Sequence, residues 1–314
     1  MDKNIRLILF LSIFLLFVST ACHSNNEDEH NDARTIYTSI YPLQYIVEQL
    51  AGDDIIVKSI YPPGSDAHTF EPTSKQLTEI AQAQMFIYMG GEMESVTDHI
   101  VDALHSQDVA LLELSSVDGL LEDTESVHHH EHDQHHEHDH SNLDPHVWLD
   151  PLKMIDMAKQ IKHELLQLNL VDEKMVSERF REFTNEMKQL DEAYSTRLKE
   201  KENKLIIVTH AGYGYWVKRY GIQQLAIRGI STEEEPSQQE IVDIVQTAND
   251  NDIQSIIFDQ YGTDKVAEII QEHIKVEALY LHNLEVLTDE DIKNGEDYIT
   301  LMKKNLEVLD QATQ

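Results

Sequence analysis

Three histidines stand out by their surroundings. His68 lies in Pro62-Pro63-Gly64-Ser65-Asp66-Ala67-His68-Thr69-Phe70-Glu71-Pro72-Thr73, a segment too rich in Pro and Gly for regular structure. His146 lies in Asp144-Pro145-His146-Val147-Trp148-Leu149-Asp150-Pro151, bounded by prolines, and His210 directly follows the apolar run Leu205 to Thr209, with Gly212 and Gly214 just after it. Imidazole nitrogen and carboxylate oxygen suit Zn²⁺, and four such donors in a tetrahedron make a closed site. Taken singly, each histidine is equally well explained as a hydrogen-bonded structural residue or a surface residue. Their shared loop context points to a site, and His210 falls at the carboxyl end of a strand, where open α/β sheets bind ligands.

A second concentration of donors is the tract His128 to His140. It holds eight histidines (His128, His129, His130, His132, His135, His136, His138 and His140) and the carboxylates Glu131, Asp133, Glu137 and Asp139. With no apolar residue to pack, the tract is expected to be a disordered surface loop, an auxiliary metal collector with weaker, multiple sites. Within it, His136-Glu137-His138-Asp139-His140 satisfies the H-E-x-x-H pattern of zinc proteases. That pattern needs a packed helix, and in so repetitive a tract a match is expected by chance. A closed tetrahedral site of four protein donors would also leave no open position for an activated water, so the chain is not expected to be an enzyme.

The elements that must position these residues follow from periodicity. Short β-branched or apolar runs at Ile36–Ile40, Ile55–Ile60, Met85–Met89 and Val109–Leu114 alternate with helical patterns such as Leu43, Ile46, Val47 and Leu50. A second alternation runs through Leu205–Thr209, Gln224–Ile227, Ser255–Asp259 and Ala278–Leu281. This predicts two Rossmann-like α/β lobes, residues 33–170 and 204–314, each around a parallel sheet. Between them Val176, Phe180, Phe183, Met187, Leu190, Tyr194 and Leu198 recur at helical spacing, with neither Gly nor Pro between Val171 and Asn203. One long stiff helix over 171–203 is expected, and large lobe closure is not.

Lys and Arg number 24 against 58 Asp and Glu, a net charge of −34 that opposes nucleic acid or an anionic membrane and favours cationic partners. At the N-terminus, Lys3 and Arg6 precede the apolar run Leu7 to Val18, too short to span a bilayer, then Ser19, Thr20 and Ala21. Residues 1–21 thus read as a secretory signal. Cys22, the lone cysteine, cannot form an internal disulfide and reads as a modification site. Ser-Thr-Ala-Cys resembles the lipobox of bacterial lipoproteins, with Ser19 where Leu is usual. The resemblance implies a protein lipid-anchored through Cys22 to the outer face of the cell membrane, with polar residues 22–32 as a flexible tether.

The segments GSDAHTFEPT, DPHVWLDP and THAGYGY resemble those of the zinc and manganese class of solute-binding proteins of ABC transporters, the ZnuA/AdcA-like cluster A-I family. The similarity extends to Tyr41-Pro42-Leu43, Glu235-Pro236-Ser237 and Asp297-Tyr298 with Met302 and Asn305. It implies two α/β lobes joined by a rigid helix, a metal site in the interlobe cleft, an ABC permease as partner, no nucleic acid and a monomeric state. His68, His146 and His210 match the three histidines of the zinc branch. The manganese branch typically has a carboxylate at the third position, so manganese is the alternative cargo and surface adhesion the alternative role. The fourth ligand implied is Glu285, with Asp259 and His282 as rivals.

Overall fold

The computed structural model describes residues 34–65, 67, 70–91, 94–124, 143–230, 235–260 and 264–313. The first lobe is a parallel sheet of β1 (Thr35–Thr38), β2 (Ile56–Ser59), β3 (Met85–Tyr88) and β4 (Ala110–Glu113) in the order β2-β1-β3-β4. Central β1 and β3 are buried at every residue, while β2 and β4, at the edges, carry exposed positions. A sheet covered on both faces needs continuous apolar runs only in its inner strands. Three helices belong to this lobe: α1 (Tyr41–Ala51), α2 (Ser74–Ala81) and α3 (Ser95–Leu104). In α1 the predicted face of Leu43, Ile46, Val47 and Leu50 is fully buried.

After a short antiparallel pair, β5 (Glu122–Asp123) with β6 (Leu143–Asp144), come α4 (Pro151–Gln167) and the long α5 (Glu173–Lys199). Helix α5 has 27 residues, about 40 Å at 1.5 Å per residue. Asp172 caps it by accepting from the Met175 amide, and Arg197 and Lys199 in the last turn complement its dipole. Val176, Phe183, Met187, Leu190, Tyr194 and Leu198 form its buried stripe, as the spacing predicts. The Tyr194 hydroxyl crosses to the last helix, donating to the Met302 carbonyl at 2.6 Å.

The second lobe repeats the topology of the first. Strands β7 (Leu205–His210), β8 (Gln223–Arg228), β9 (Ser255–Asp259) and β10 (Glu277–Leu281) are parallel in the order β10-β9-β7-β8. Around them lie α6 (Gly214–Tyr220), α7 (Gln238–Asp250), α8 (Lys265–Ile274), α9 (Asp289–Asn294) and α10 (Tyr298–Ala312). In each lobe the first strand is flanked by the second and the third, so chain direction switches beside it, and such switch points open crevices at the carboxyl ends of strands. One apolar core runs from Ile36 and Phe86 through Trp148, Tyr194 and Trp216 to Leu281. A smaller one, including Ile207, Ile256 and Phe258, lies within the second lobe. Because the larger core spans both lobes and α5, the lobes are fixed to each other by packing as well as by the helix. Among the described residues no helix is long and apolar enough to cross a membrane. The expected signal segment 1–21, the tether 22–32 with Cys22, and the tract 128–140 lie outside the described residues.

Candidate metal centre

His146 sits at the turn between β6 and a short 3-10 segment, Val147–Leu149, with none of its surface exposed. Its conformation is set by Asp144, whose Oδ1 accepts from the His146 backbone amide and pairs with Nδ1, each at 2.9 Å. An Asp accepting from the amide two residues on is an Asx turn, local chemistry that suits the Asp-Pro-His sequence. The other carboxylate oxygen of Asp144 accepts from Thr124 at 2.6 Å. Because the carboxylate takes Nδ1–H, the lone pair of His146 is on Nε2.

His210 is the last residue of β7 and is 2% exposed. Its Nδ1 lies 2.7 Å from Asp259 Oδ2, at the end of neighbouring β9, so the pair spans the switch point of the second sheet. Asp259 is itself held: Oδ2 accepts from Thr209 at 2.9 Å and Oδ1 from the Tyr213 hydroxyl at 2.7 Å. Burial works against charge on His210, but Asp259, then Glu285 and Asp144, outweigh it and raise its pKa to about 9. Burial would push Asp259 up, yet His210, Tyr213 and Thr209 hold it below the usual carboxylate range.

The two imidazoles lie side by side, ring centroids 5.3 Å apart and planes tilted by 59°. Glu285, 4% exposed, places Oε1 3.8 Å from His146 Nε2. Its main chain is tied to both neighbours, the amide donating to Asn283 Oδ1 at 3.1 Å and the carbonyl accepting from the Tyr41 amide at 2.8 Å. Nε2 of His146 and Nε2 of His210 are buried without a hydrogen-bond partner among the described residues. Leaving two buried ring nitrogens unsatisfied costs on the order of 1–3 kcal/mol each. Backbone approaches closely here, since a Cβ built on Gly212 would collide with His210 Nε2, and one on Gly214 with Thr124 Oγ1 and Asp144 Oδ2.

Of the four expected ligands, the structure thus brings together His146, His210 and Glu285. His68 lies outside the described residues. Nearby, the rings of Tyr61 and Phe70 meet edge-on at 5.3 Å, and Gly64 donates to the Leu287 carbonyl, two residues past Glu285. Among the described residues no group of three donors closes tightly enough around one point to hold an ion. Asp259 is placed at His210 Nδ1, with both oxygens occupied by protein donors. The sequence offered Asp259 only as a rival ligand and Gly212 only as a neighbour of His210, and the parts played by Asp144, Thr124 and Tyr213 were not read from it.

Two similarly wound parallel α/β lobes thus share one core, with these donors gathered in their seam at strand carboxyl ends. The chain belongs to the ZnuA family, described as zinc-uptake complex component A, periplasmic, which matches residues 36–312. It is 31% identical to the zinc-binding lipoprotein AdcA of Streptococcus pneumoniae over 99% of this chain, and spans 61% of that relative's length. It is 29% identical to the high-affinity zinc uptake system protein ZnuA of Bacillus subtilis, over 96% of this chain and 95% of the relative. The Zn(II)-bound ZnuA-like domain of Streptococcus pneumoniae AdcA superposes with a TM-score of 0.73 at 28% identity, covering 90% of this chain and 99% of that domain.

Proposed function

We propose that the chain is an extracytoplasmic Zn²⁺-binding protein that hands its cargo to an ABC-type importer, with His68, His146, His210 and Glu285 as ligands. The observation that carries this reading is the pair of buried imidazoles whose Nδ1 atoms are held by Asp144 and Asp259, with unpartnered Nε2 atoms beside Glu285. Adjacent ligands of a tetrahedral zinc lie about 3.4 Å apart at Zn–N distances near 2.0–2.1 Å. The 3.8 Å between His146 and Glu285 is close to that spacing. Relatives named for zinc binding and zinc uptake support the cargo. His210 in place of a carboxylate favours zinc over manganese, which prefers oxygen-rich octahedral shells.

Glu285 is preferred to Asp259 because Asp259 already serves the far side of His210. Four protein ligands leave zinc no open position, so the site stores and releases rather than catalyses. The lipid anchor on Cys22, the monomeric state and the collector role of His128 to His140 belong to the same reading and rest on the sequence.

The test is zinc stoichiometry and zinc-induced thermal stabilisation in the metal-stripped full chain, in His210→Ala and in a deletion of 128–140. Zinc at about 100 times its Kd should stabilise the fold by about 2.7 kcal/mol. One tight, stabilising site that survives the deletion and is lost in His210→Ala supports the cleft assignment. Stabilisation that disappears with the tract and survives His210→Ala overturns it.

A further inference from the structure

The histidine at position 282 is not explained by the ligand set, although it lies three residues from Glu285 and is 2% exposed. Its hydrogen bonds fix its chemical state. The Leu284 backbone amide donates to Nδ1 at 2.8 Å. A backbone N–H can only donate, so Nδ1 is an acceptor and the ring proton is on Nε2, which faces Asp291 Oδ2 at 3.3 Å. The main chain of His282 is clamped as well, its amide donating to Asn305 Oδ1 at 2.9 Å and its carbonyl accepting from Asn305 Nδ2 at 2.7 Å. Both ring nitrogens are thus directed at protein groups.

What the ring holds is a strained turn. Leu284 is fully buried with φ +64°, in the left-handed region that a leucine rarely enters. Such a residue persists only where neighbours over-determine its conformation, and the bond from Leu284 N–H to His282 is the restraint at that peptide. The next residue is Glu285, whose amide is caught by Asn283 Oδ1. We propose that His282 is a positioning residue for the metal site: as an Nδ1 acceptor it holds Leu284 in the left-handed conformation and so aims the Glu285 carboxylate at His146. The proposal rests on the zinc reading above and gives Glu285, the fourth ligand of that reading, its mechanical support.

The test compares His282→Ala, His282→Asn and His282→Gln in the metal-stripped full chain. Asparagine puts an acceptor oxygen at the same bond separation as Nδ1, whereas glutamine reproduces only the reach of Nε2 towards Asp291. Three quantities are measured: zinc affinity by chelator competition, the visible spectrum of the Co²⁺-loaded protein, and hydrogen exchange at the Leu284 amide without metal. His282→Ala should bind zinc about 10- to 100-fold more weakly, the usual effect of losing an outer-shell partner. It should also change the Co²⁺ spectrum and lose Leu284 protection. Asparagine should restore all three, and glutamine none. Wild-type Leu284 protection in His282→Ala, or rescue by glutamine equal to that by asparagine, overturns the proposal. Asparagine is also decisive should the alanine variant not fold: a folded Asn variant with zinc affinity tenfold below wild type overturns it. Absence of a tight zinc site in the wild type, with Leu284 still protected through His282, would overturn the zinc reading and leave the positioning of the turn standing.

Discussion

Trp148 donates its indole N–H to the backbone carbonyl of Asn283 at 2.8 Å, which fixes the loop that carries His146 against the turn that carries Glu285. The Trp148 carbonyl in turn accepts from the Tyr298 hydroxyl at 2.7 Å, and the Leu149 carbonyl from the Trp216 indole at 2.8 Å. A loop that belongs to the first half of the chain is therefore held by aromatic side chains of the second. Trp148→Phe keeps a ring in the core but leaves the Asn283 carbonyl without its donor. The expected result is a loss of about 1–3 kcal/mol in denaturant unfolding, together with faster zinc dissociation. Unchanged dissociation would mean that the segments carrying His146 and Glu285 are held by packing alone.

Gly212 has no side chain because there is no room for one. A Cβ there would collide with His210 Nε2, the nitrogen that the zinc reading assigns to the metal, and its backbone needs no left-handed conformation. Gly212→Ala should therefore leave the metal-free protein folded while displacing His210 or crowding the ion. Zinc affinity is expected to fall by at least about tenfold, in the range of other errors in ligand orientation. Calorimetric titration checks this, and an affinity equal to wild type would move the coordination position away from Nε2.

Asp259 serves three donors at once, His210, Thr209 and Tyr213. Asp259→Asn keeps one acceptor oxygen but removes the charge that balances His210. Zinc affinity should drop by about 10- to 100-fold, the range seen when the outer partner of a ligand histidine is changed. Were Asp259 a direct ligand, the Co²⁺ spectrum of the variant would show a changed donor set; as an orienting residue it should leave the donor set as in wild type.

All eight strands of the two parallel sheets and the stripe of α5 were legible, because buried strands and a one-sided helix impose periods that composition cannot hide. His146 and His210 were legible as residues in a proline-bounded loop and at a strand end, while His68 lies outside the described residues. The two-residue strands β5 and β6 were not, since so short a pair has no period to read. Nor was the division of labour between carboxylates. Asp259 and Glu285 both follow strands of the second lobe, and only the folded chain puts the former at Nδ1 of His210, 49 residues away, and the latter beside Nε2 of His146. His282 looked like a spare ligand for the same reason: that its lone pair is taken by the Leu284 amide is a matter of one backbone dihedral.

The first lobe fills the corresponding switch point with a different group. Glu94 is fully buried where β1 and β3 end, accepting from the Ser39 hydroxyl at 2.9 Å, the Tyr61 hydroxyl at 3.1 Å and the amides of Met89 and Gly90 at 3.0 and 3.2 Å. Burial raises its pKa from 4.5 to about 7, and these hydrogen bonds hold it from rising further. The folded state therefore binds this proton more tightly than the unfolded chain. Stability from this group is fully present below pH 4.5, declines as pH rises, and is lost above about 7. A difference of that size is on the order of 3 kcal/mol. Glu94→Gln is neutral throughout, can keep an oxygen towards Ser39, Met89 and Gly90, and can donate to Tyr61. The variant should be more stable than wild type near pH 8 and close to it near pH 4.5, so the stability difference between the two proteins should vary with pH only across that window. Urea unfolding of both proteins at several pH values reads this difference directly. A constant difference would mean that Glu94 stays charged in the fold, held by its four donors.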